Sequence, residues 1–205
     1  MQKKERAKKV KNILDRLFPH PTIPLYHTNS YTLLIAVLLS AHSTDKAVNK
    51  ITPALFRTAP TPQKMVLLTQ QKIEAIIRPC GLYKRKAKAI VALSSLLIKE
   101  HGGKIPSSLE ALEKLPGVGH KTASVVLSHA FHQPAFAVDT HIFRCAKRWK
   151  LSSGQSLKTT EKDLKKIFNK RDWGKIHLQM ILYARAFCPA RGHRIEKCPI
   201  CQAVS

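Results

Sequence analysis

The sequence predicts an all-α fold. Apolar residues return every three or four positions along most of the chain, the spacing that lines one face of a helix. The strict apolar–polar alternation of half-buried strands is missing. Clusters of proline and glycine cut the periodic stretches into pieces of helix length. Taken in order, Val10, Ile13, Leu14 and Leu17 mark a first helix, with Lys3, Lys4, Arg6, Lys8, Lys9 and Lys11 crowded before and between them. The stretch FPHPTIPL (18–25) ends it with three prolines and reads as a linker. SYTLLIAVLLSAHS (30–43) is apolar on nearly all sides, which predicts a buried helix capped by Ser30 or Thr32. Residues 44–60 continue as an amphipathic helix interrupted near Pro53. Residues 61–106 hold two or three more helices, broken at PCG and HGGKIP. SLEALEKL (108–115) and TASVVLSHAFHQ (122–133) flank a glycine-bearing corner; beyond 133–154, helices fit 156–169 and 173–186 before a cysteine-rich tail.

Composition narrows the partners. The chain has 205 residues, 44% of them hydrophobic, enough for one large globular domain or two smaller lobes. Lys and Arg number 36 against 12 acids, a formal charge of +24 that repels itself in the folded state. An anionic partner explains that imbalance, and nucleic acid leads, because neutralised phosphates release counterions; a basic surface serving solubility alone is the plainer alternative. The longest apolar stretch, LLIAVLL (33–39), is far short of the ~20 residues a spanning helix needs, so no membrane association is expected. The N-terminus lacks the apolar core of a signal peptide, so an intracellular, cytoplasmic protein is expected. The cysteines are Cys80, Cys145, Cys188, Cys198 and Cys201; their odd number, and three within the last 18 residues, point to a metal site rather than disulfides. Cys80 and Cys145 read as ordinary buried thiols.

LPGVG (115–119) is the corner that carries chemistry. Pro116 stops one helix, and Gly117 and Gly119 can take backbone angles closed to other residues. A tight hairpin leading into a helix start presents amide donors and the positive end of the helix dipole, a site for one phosphate. An ordinary corner between two helices satisfies the same five residues equally well.

With their neighbours, these residues resemble a known family. LPGVGHKTASVVL (115–127) followed by AFAVDTHIFRCAKR (135–148) is similar to the helix–hairpin–helix DNA glycosylases, specifically the endonuclease III branch. LLSAHSTDKAVNK (38–50) and GLYKRKAKAI (81–90) resemble two further segments of that family. The resemblance implies a six-helix barrel with the hairpin over residues 24–133, a second lobe built from 1–23 and 134–205 with an iron–sulfur-type loop at 185–205, and a DNA groove between them. It implies that Lys121 is the nucleophile: the start of a helix and basic surroundings both disfavour the ammonium form, and a free amine forms a Schiff base with the sugar C1′ and expels a damaged base. It implies that the carboxylate of Asp139, 18 residues downstream, stabilises charge on the sugar and assists proton transfer. Taken singly, Lys121 reads as a phosphate contact and Asp139 as a helix cap.

The remaining site residues follow from the same resemblance. Gly117, Val118 and Gly119 of the hairpin, with Arg144 and Arg191, are expected to contact DNA. Extruding a nucleotide leaves a hole in the stack; the family fills it with a glutamine, where this chain has His42, and with a loop residue matched here by Leu82, an apolar wedge. Asp45 lines the pocket or caps a helix. In the tail, the family's four cysteines are spaced six, two and five residues apart, whereas here nine residues separate Cys188 from Cys198, two separate Cys198 from Cys201, and QAVS follows. A [4Fe–4S] cluster is expected on Cys188, Cys198 and Cys201 with the fourth cysteine of the pattern missing; His193 can complete a Cys₃His set, which also suits zinc, and a loop without metal is the third reading. The metal centre would fix a basic loop of Arg185, Arg191, Arg194 and Lys197 against phosphates. The expected function is a bifunctional glycosylase and abasic-site lyase acting on oxidised pyrimidines in duplex DNA, as a monomer associated with the nucleoid. The alternatives are a monofunctional glycosylase of the same fold and a non-catalytic DNA-binding module.

Overall fold

The computed structural model describes residues 2–205. Twelve α-helices are found among them and no strand: α1 (Lys3–Leu17), α2 (Ser30–Ser40), α3 (Asp45–Thr58), α4 (Pro62–Val66), α5 (Gln70–Ile77), α6 (Tyr83–His101), α7 (Leu109–Glu113), α8 (His120–Ala130), α9 (Thr140–Arg148), α10 (Leu157–Ile167), α11 (Trp173–Ala186) and α12 (Pro199–Val204). The all-helical class predicted from periodicity is the class observed. The helices fall into two compact units, Pro24–Gln133 and Met1–Ile23 with Pro134–Ser205.

Within Pro24–Gln133, α2 is the centre. Every residue from Tyr31 to Leu39 is buried, which is why its sequence shows no polar face. It packs against α3, α6 and α8. Asn29, rather than Ser30 or Thr32, caps it: the Asn29 side chain accepts from the Thr32 amide while Thr32 Oγ1 accepts from the Asn29 amide at 2.9 Å. This reciprocal box places the cap one residue earlier than the sequence suggested, and gives Thr32 the second half of the bond pair. Pro53 also departs from expectation. Helix α3 runs unbroken from Asp45 to Thr58 with Pro53 inside it. The lost amide bond is tolerated because the buried stripe Val48, Ile51, Thr52, Leu55 and Phe56 continues on both sides of it. Three helices, α4, α5 and α6, occupy residues 61–106.

The other unit packs α1 against α10, α11 and α12, and α9 against α11. Its core includes Val10, Leu14, Ile142, Trp149, Leu164 and Tyr183, with Trp149 and Tyr183 meeting edge to face at 5.4 Å. Asp15 on α1 takes Lys11 at 2.6 Å, Lys175 at 2.7 Å and the Gln179 amide at 3.0 Å, tying α1 to α11. No described helix is long and apolar enough to cross a membrane.

Candidate nucleic-acid and metal sites

The hairpin owes its shape to one glycine. Gly117 has φ +78°, and a Cβ there would stand 2.8 Å from the Ala89 Cβ and 3.2 Å from Leu38 Cδ1, so both backbone angle and packing exclude a side chain. Gly119 is different from the sequence expectation. Its φ is −93°, extended backbone open to any residue, and it serves as the N-cap of α8. A Cβ on Gly119 would meet nothing within 4 Å. Its bareness therefore leaves open space at the helix start. Val118 is buried, so the hairpin can offer only its main chain at that position. His120 Nδ1 and Glu113 Oε1, 2.6 Å apart, brace α8 against α7.

These differences give opposite predictions for the two glycines. Gly117→Ala is expected to lower stability by about 2 kcal/mol or more, from left-handed strain and the clash with Ala89. Gly119→Ala is expected to cost less than about 1 kcal/mol, the scale of an N-cap change, yet to weaken duplex binding. Thermal melts and a DNA titration on both variants separate the effects; equal melting losses would refute the distinction.

Lys121 is exposed in the first turn of α8. Asp139, half-buried, caps α9: its Oδ1 accepts from the Ile142 amide at 2.9 Å. The helix-cap role is thus real. Just upstream, the Ala137 carbonyl lies 2.8 Å from His177 Nδ1 of α11, which fixes the strand of chain leading to Asp139. Asp45 is the first residue of α3, and the capping role belongs to Thr44, whose side chain accepts from the Ala47 amide; the cap reading of Asp45 is corrected accordingly.

His42 and Leu82 are both exposed, and both hold left-handed backbone angles, φ +53° and +58°. Their loops are locked to each other. The Gly81 amide donates to Ser43 Oγ at 3.0 Å, and a Cβ on Gly81 would stand 2.6 Å from the His42 carbonyl oxygen. The lock is Lys86, a residue the sequence reading passed over. It is buried, and its Nζ donates to Leu39 O at 2.8 Å, Ala41 O at 2.5 Å and Ser43 Oγ at 3.0 Å, using all three of its protons. Burial pushes its pKa down, which Cys80 nearby partly opposes. The signal was present: Lys86 precedes Ile90, Leu93 and Leu97 by helical spacing, on the buried stripe of α6. Lys86→Met removes three bonds and leaves two carbonyls unpaired, an expected loss of about 2 kcal/mol. That corresponds to a drop of about 4–8 °C in melting temperature for a chain of this size, with weaker binding to a duplex holding an abasic site. An unchanged melt would show the lock to be idle.

The C-terminal tail gathers Cys188, His193, Cys198 and Cys201, whose ligand atoms all lie within 4.8 Å of one another. Three are buried and His193 is half-buried. The ends of α9 and α11 hold the group in place. Arg148 donates to Cys188 Sγ at 3.3 Å and to the Pro189 carbonyl at 2.7 Å. Arg144 Nε donates to the Cys188 carbonyl at 3.0 Å, so this residue serves the tail. Tyr183 Oη accepts from the Ile200 amide at 2.8 Å and lies 3.3 Å from Cys198 Sγ. Hydrogen bonds from Cys145, Cys201 and Arg148 push the Cys188 thiol far down, and the same bonds push Cys145 and Cys201 up. Such a set of three sulfurs and one imidazole can hold a metal centre. Arg191, Arg194 and Lys197 are exposed on the loop it would close.

A hairpin entering a helix at a lysine, an aspartate capping a following helix, and a basic all-helical chain suit a protein that grips a nucleic-acid backbone. Residues 35–170 match the family model described as HhH-GPD superfamily base excision DNA repair protein. The chain belongs to that family. It is 46% identical over 180 residues to the endonuclease III of Treponema pallidum, covering 88% of this chain and 85% of the relative. It is 42% identical over 182 residues to the endonuclease III of Escherichia coli, covering 89% and 86%. A solved structure described as a non-covalent endonuclease III–DNA complex superposes with a TM-score of 0.93 at 39% identity, covering 98% of this chain and 95% of that one. A trapped endonuclease III–DNA covalent intermediate superposes with a TM-score of 0.92, also at 39% identity, over 98% and 94%. The matched family segment contains Lys121 and Asp139 and stops short of the cysteine tail.

Proposed function

We propose that this protein is a bifunctional DNA glycosylase and abasic-site lyase that removes oxidised pyrimidines from duplex DNA, working as a monomer inside the cell. The observation that carries the reading is Lys121, exposed in the first turn of α8 behind the Gly117 turn, in a base excision repair family. A helix start suited to a phosphate would hold DNA beside the amine in its first turn.

The chemistry then follows in steps. The Lys121 amine adds to the sugar C1′ as the bond from C1′ to the base breaks, and the base leaves with its electron pair and a proton. Positive charge grows on the sugar in that step, and the Asp139 carboxylate stabilises it. Ring opening leaves an imine joining Lys121 Nζ to C1′. The imine acidifies C2′; loss of that proton expels the 3′ phosphate by β-elimination, and water hydrolyses the imine to free the lysine. His42 and Leu82, both exposed, are suited to entering the vacated stack. The arginines and lysines of the tail and α1 supply sequence-independent attraction to the backbone. A metal centre, for which the resemblance implies [4Fe–4S], would be held by Cys188, Cys198 and Cys201 with His193 nearby, and would order the loop of Arg191, Arg194 and Lys197.

A duplex carrying one oxidised pyrimidine tests the reading. The expected result is release of that base with a nick on its 3′ side, and no action on an adenine mismatch. Base release without a nick would favour the monofunctional alternative, and salt-sensitive binding without either would favour a binding module.

A further inference from the structure

We propose that Cys188, His193, Cys198 and Cys201 hold a single zinc ion in a tetrahedral Cys₃His site in place of an iron–sulfur cluster. This goes beyond the repair activity and does not depend on it.

Size is the first argument. Zinc binds thiolate at about 2.3 Å and imidazole at about 2.0 Å, so the edges of the ligand tetrahedron run about 3.3–3.8 Å. All four donor atoms here lie within 4.8 Å of one another, and the edge from Cys201 Sγ to His193 Nε2 is 3.5 Å. A four-iron cubane bonds each ligand through a different iron, which holds the ligand atoms roughly 6 Å apart. The space between these side chains matches one ion.

Donor chemistry is the second. Three thiolates and one imidazole are a common structural zinc set, closed to further ligands. The order is Cys188, four residues, His193, four residues, Cys198, two residues, Cys201, and the last pair forms the Cys-x-x-Cys turn of zinc sites at the start of α12. Cys145 is the other sulfur nearby, but it stands outside the set and bonds Cys188 from the core of its unit.

The surroundings are the third. Three thiolates on a divalent cation leave one net negative charge, and the Arg148 guanidinium on Cys188 Sγ offsets it. Tyr183 Oη, against Cys198 Sγ and anchored by the Ile200 amide, orients a second ligand. An open cleft lined by Arg148, His193, Ile195 and Cys201 gives the ion a way in. As it binds, each ligating thiol releases its proton to water.

The experiment is metal analysis of the full chain, purified without oxygen from cells supplied with both iron and zinc. The expected result is about one zinc per chain, negligible iron and acid-labile sulfide, and no brown iron–sulfur absorption. Replacement of the zinc by cobalt should give the intense visible bands of a tetrahedral sulfur-rich site. His193→Ala, at a half-exposed loop position, should lose zinc to a chelator at least tenfold more readily, and His193→Cys should retain it. Purification with iron and sulfide, or with no metal, would overturn the proposal; so would zinc binding that His193→Ala leaves unchanged.

Discussion

Lys121→Ala gives no borohydride-stable adduct with a duplex carrying a single abasic site, whereas the unaltered protein is captured as a covalent complex. Borohydride reduction turns an imine into a stable amine and so joins protein to DNA, whereas reduction of the abasic aldehyde does not, so capture reports a Schiff base between an amine and the sugar. Lys121 is exposed and alanine is the strongest helix former, so the variant should melt within about 0.5 kcal/mol of the unaltered protein. Strand cleavage should fall by about 10³-fold or more, the scale of losing a nucleophile whose step other groups cannot supply. Duplex binding should change little, because one surface cation among 36 Lys and Arg is a small share of the attraction. If the variant is still captured, another amine forms the imine and the assignment of Lys121 falls. If it binds, melts and cleaves as before, the lysine is a phosphate contact.

How much of this was legible depended on how local each signal is. The helices were, because a buried face imprints its period on the chain: Ile90, Leu93 and Leu97 on α6, or Ile142, Cys145 and Ala146 on α9, repeat at three and four. The Gly117 turn was legible because proline and two glycines at one corner have few other uses. What Gly119 does was not, since an extended N-cap and a strained turn residue look alike in one letter; the sign of φ and the open space around its missing Cβ separate them. The left-handed angles at His42 and Leu82 escaped for the opposite reason: nothing in a histidine or leucine announces φ near +55°, and the bonds that hold the chain on either side of His42 come from Lys86, over 40 residues away. Lys86 itself was hidden among Lys84, Arg85 and Lys88, where the run reads as a solvated basic patch. The metal set was half legible. The cysteines declared themselves, but the distances that choose between one ion and a cluster exist only in three dimensions.

Asp139 poses the sharpest test because the proposed function gives it a second task beside its helix cap, and two substitutions can pull the two apart. As N-cap of α9 it satisfies the Ile142 amide, a task asparagine performs about as well as aspartate. As a catalytic carboxylate it must carry a negative charge, which asparagine cannot do. Asp139→Asn should therefore melt like the unaltered protein and lose about 10²–10⁴-fold in base release, the usual range for a general acid–base group or a charge placed for the transition state. Asp139→Ala should lose as much activity and, in addition, about 1 kcal/mol of stability from the uncapped helix. On a pre-formed abasic site the glycosidic bond is already broken, so Asp139→Asn should retain more of the lyase step than of the glycosylase step, while Lys121→Ala loses both. Single-turnover rates on the two substrates, with melts alongside, read the split. Equal stability loss in the two Asp139 variants with activity falling only in proportion would make the residue a cap and nothing more. A full loss in Asp139→Asn at unchanged melting temperature would establish that the charge, held ready by the same helix it caps, does the chemistry.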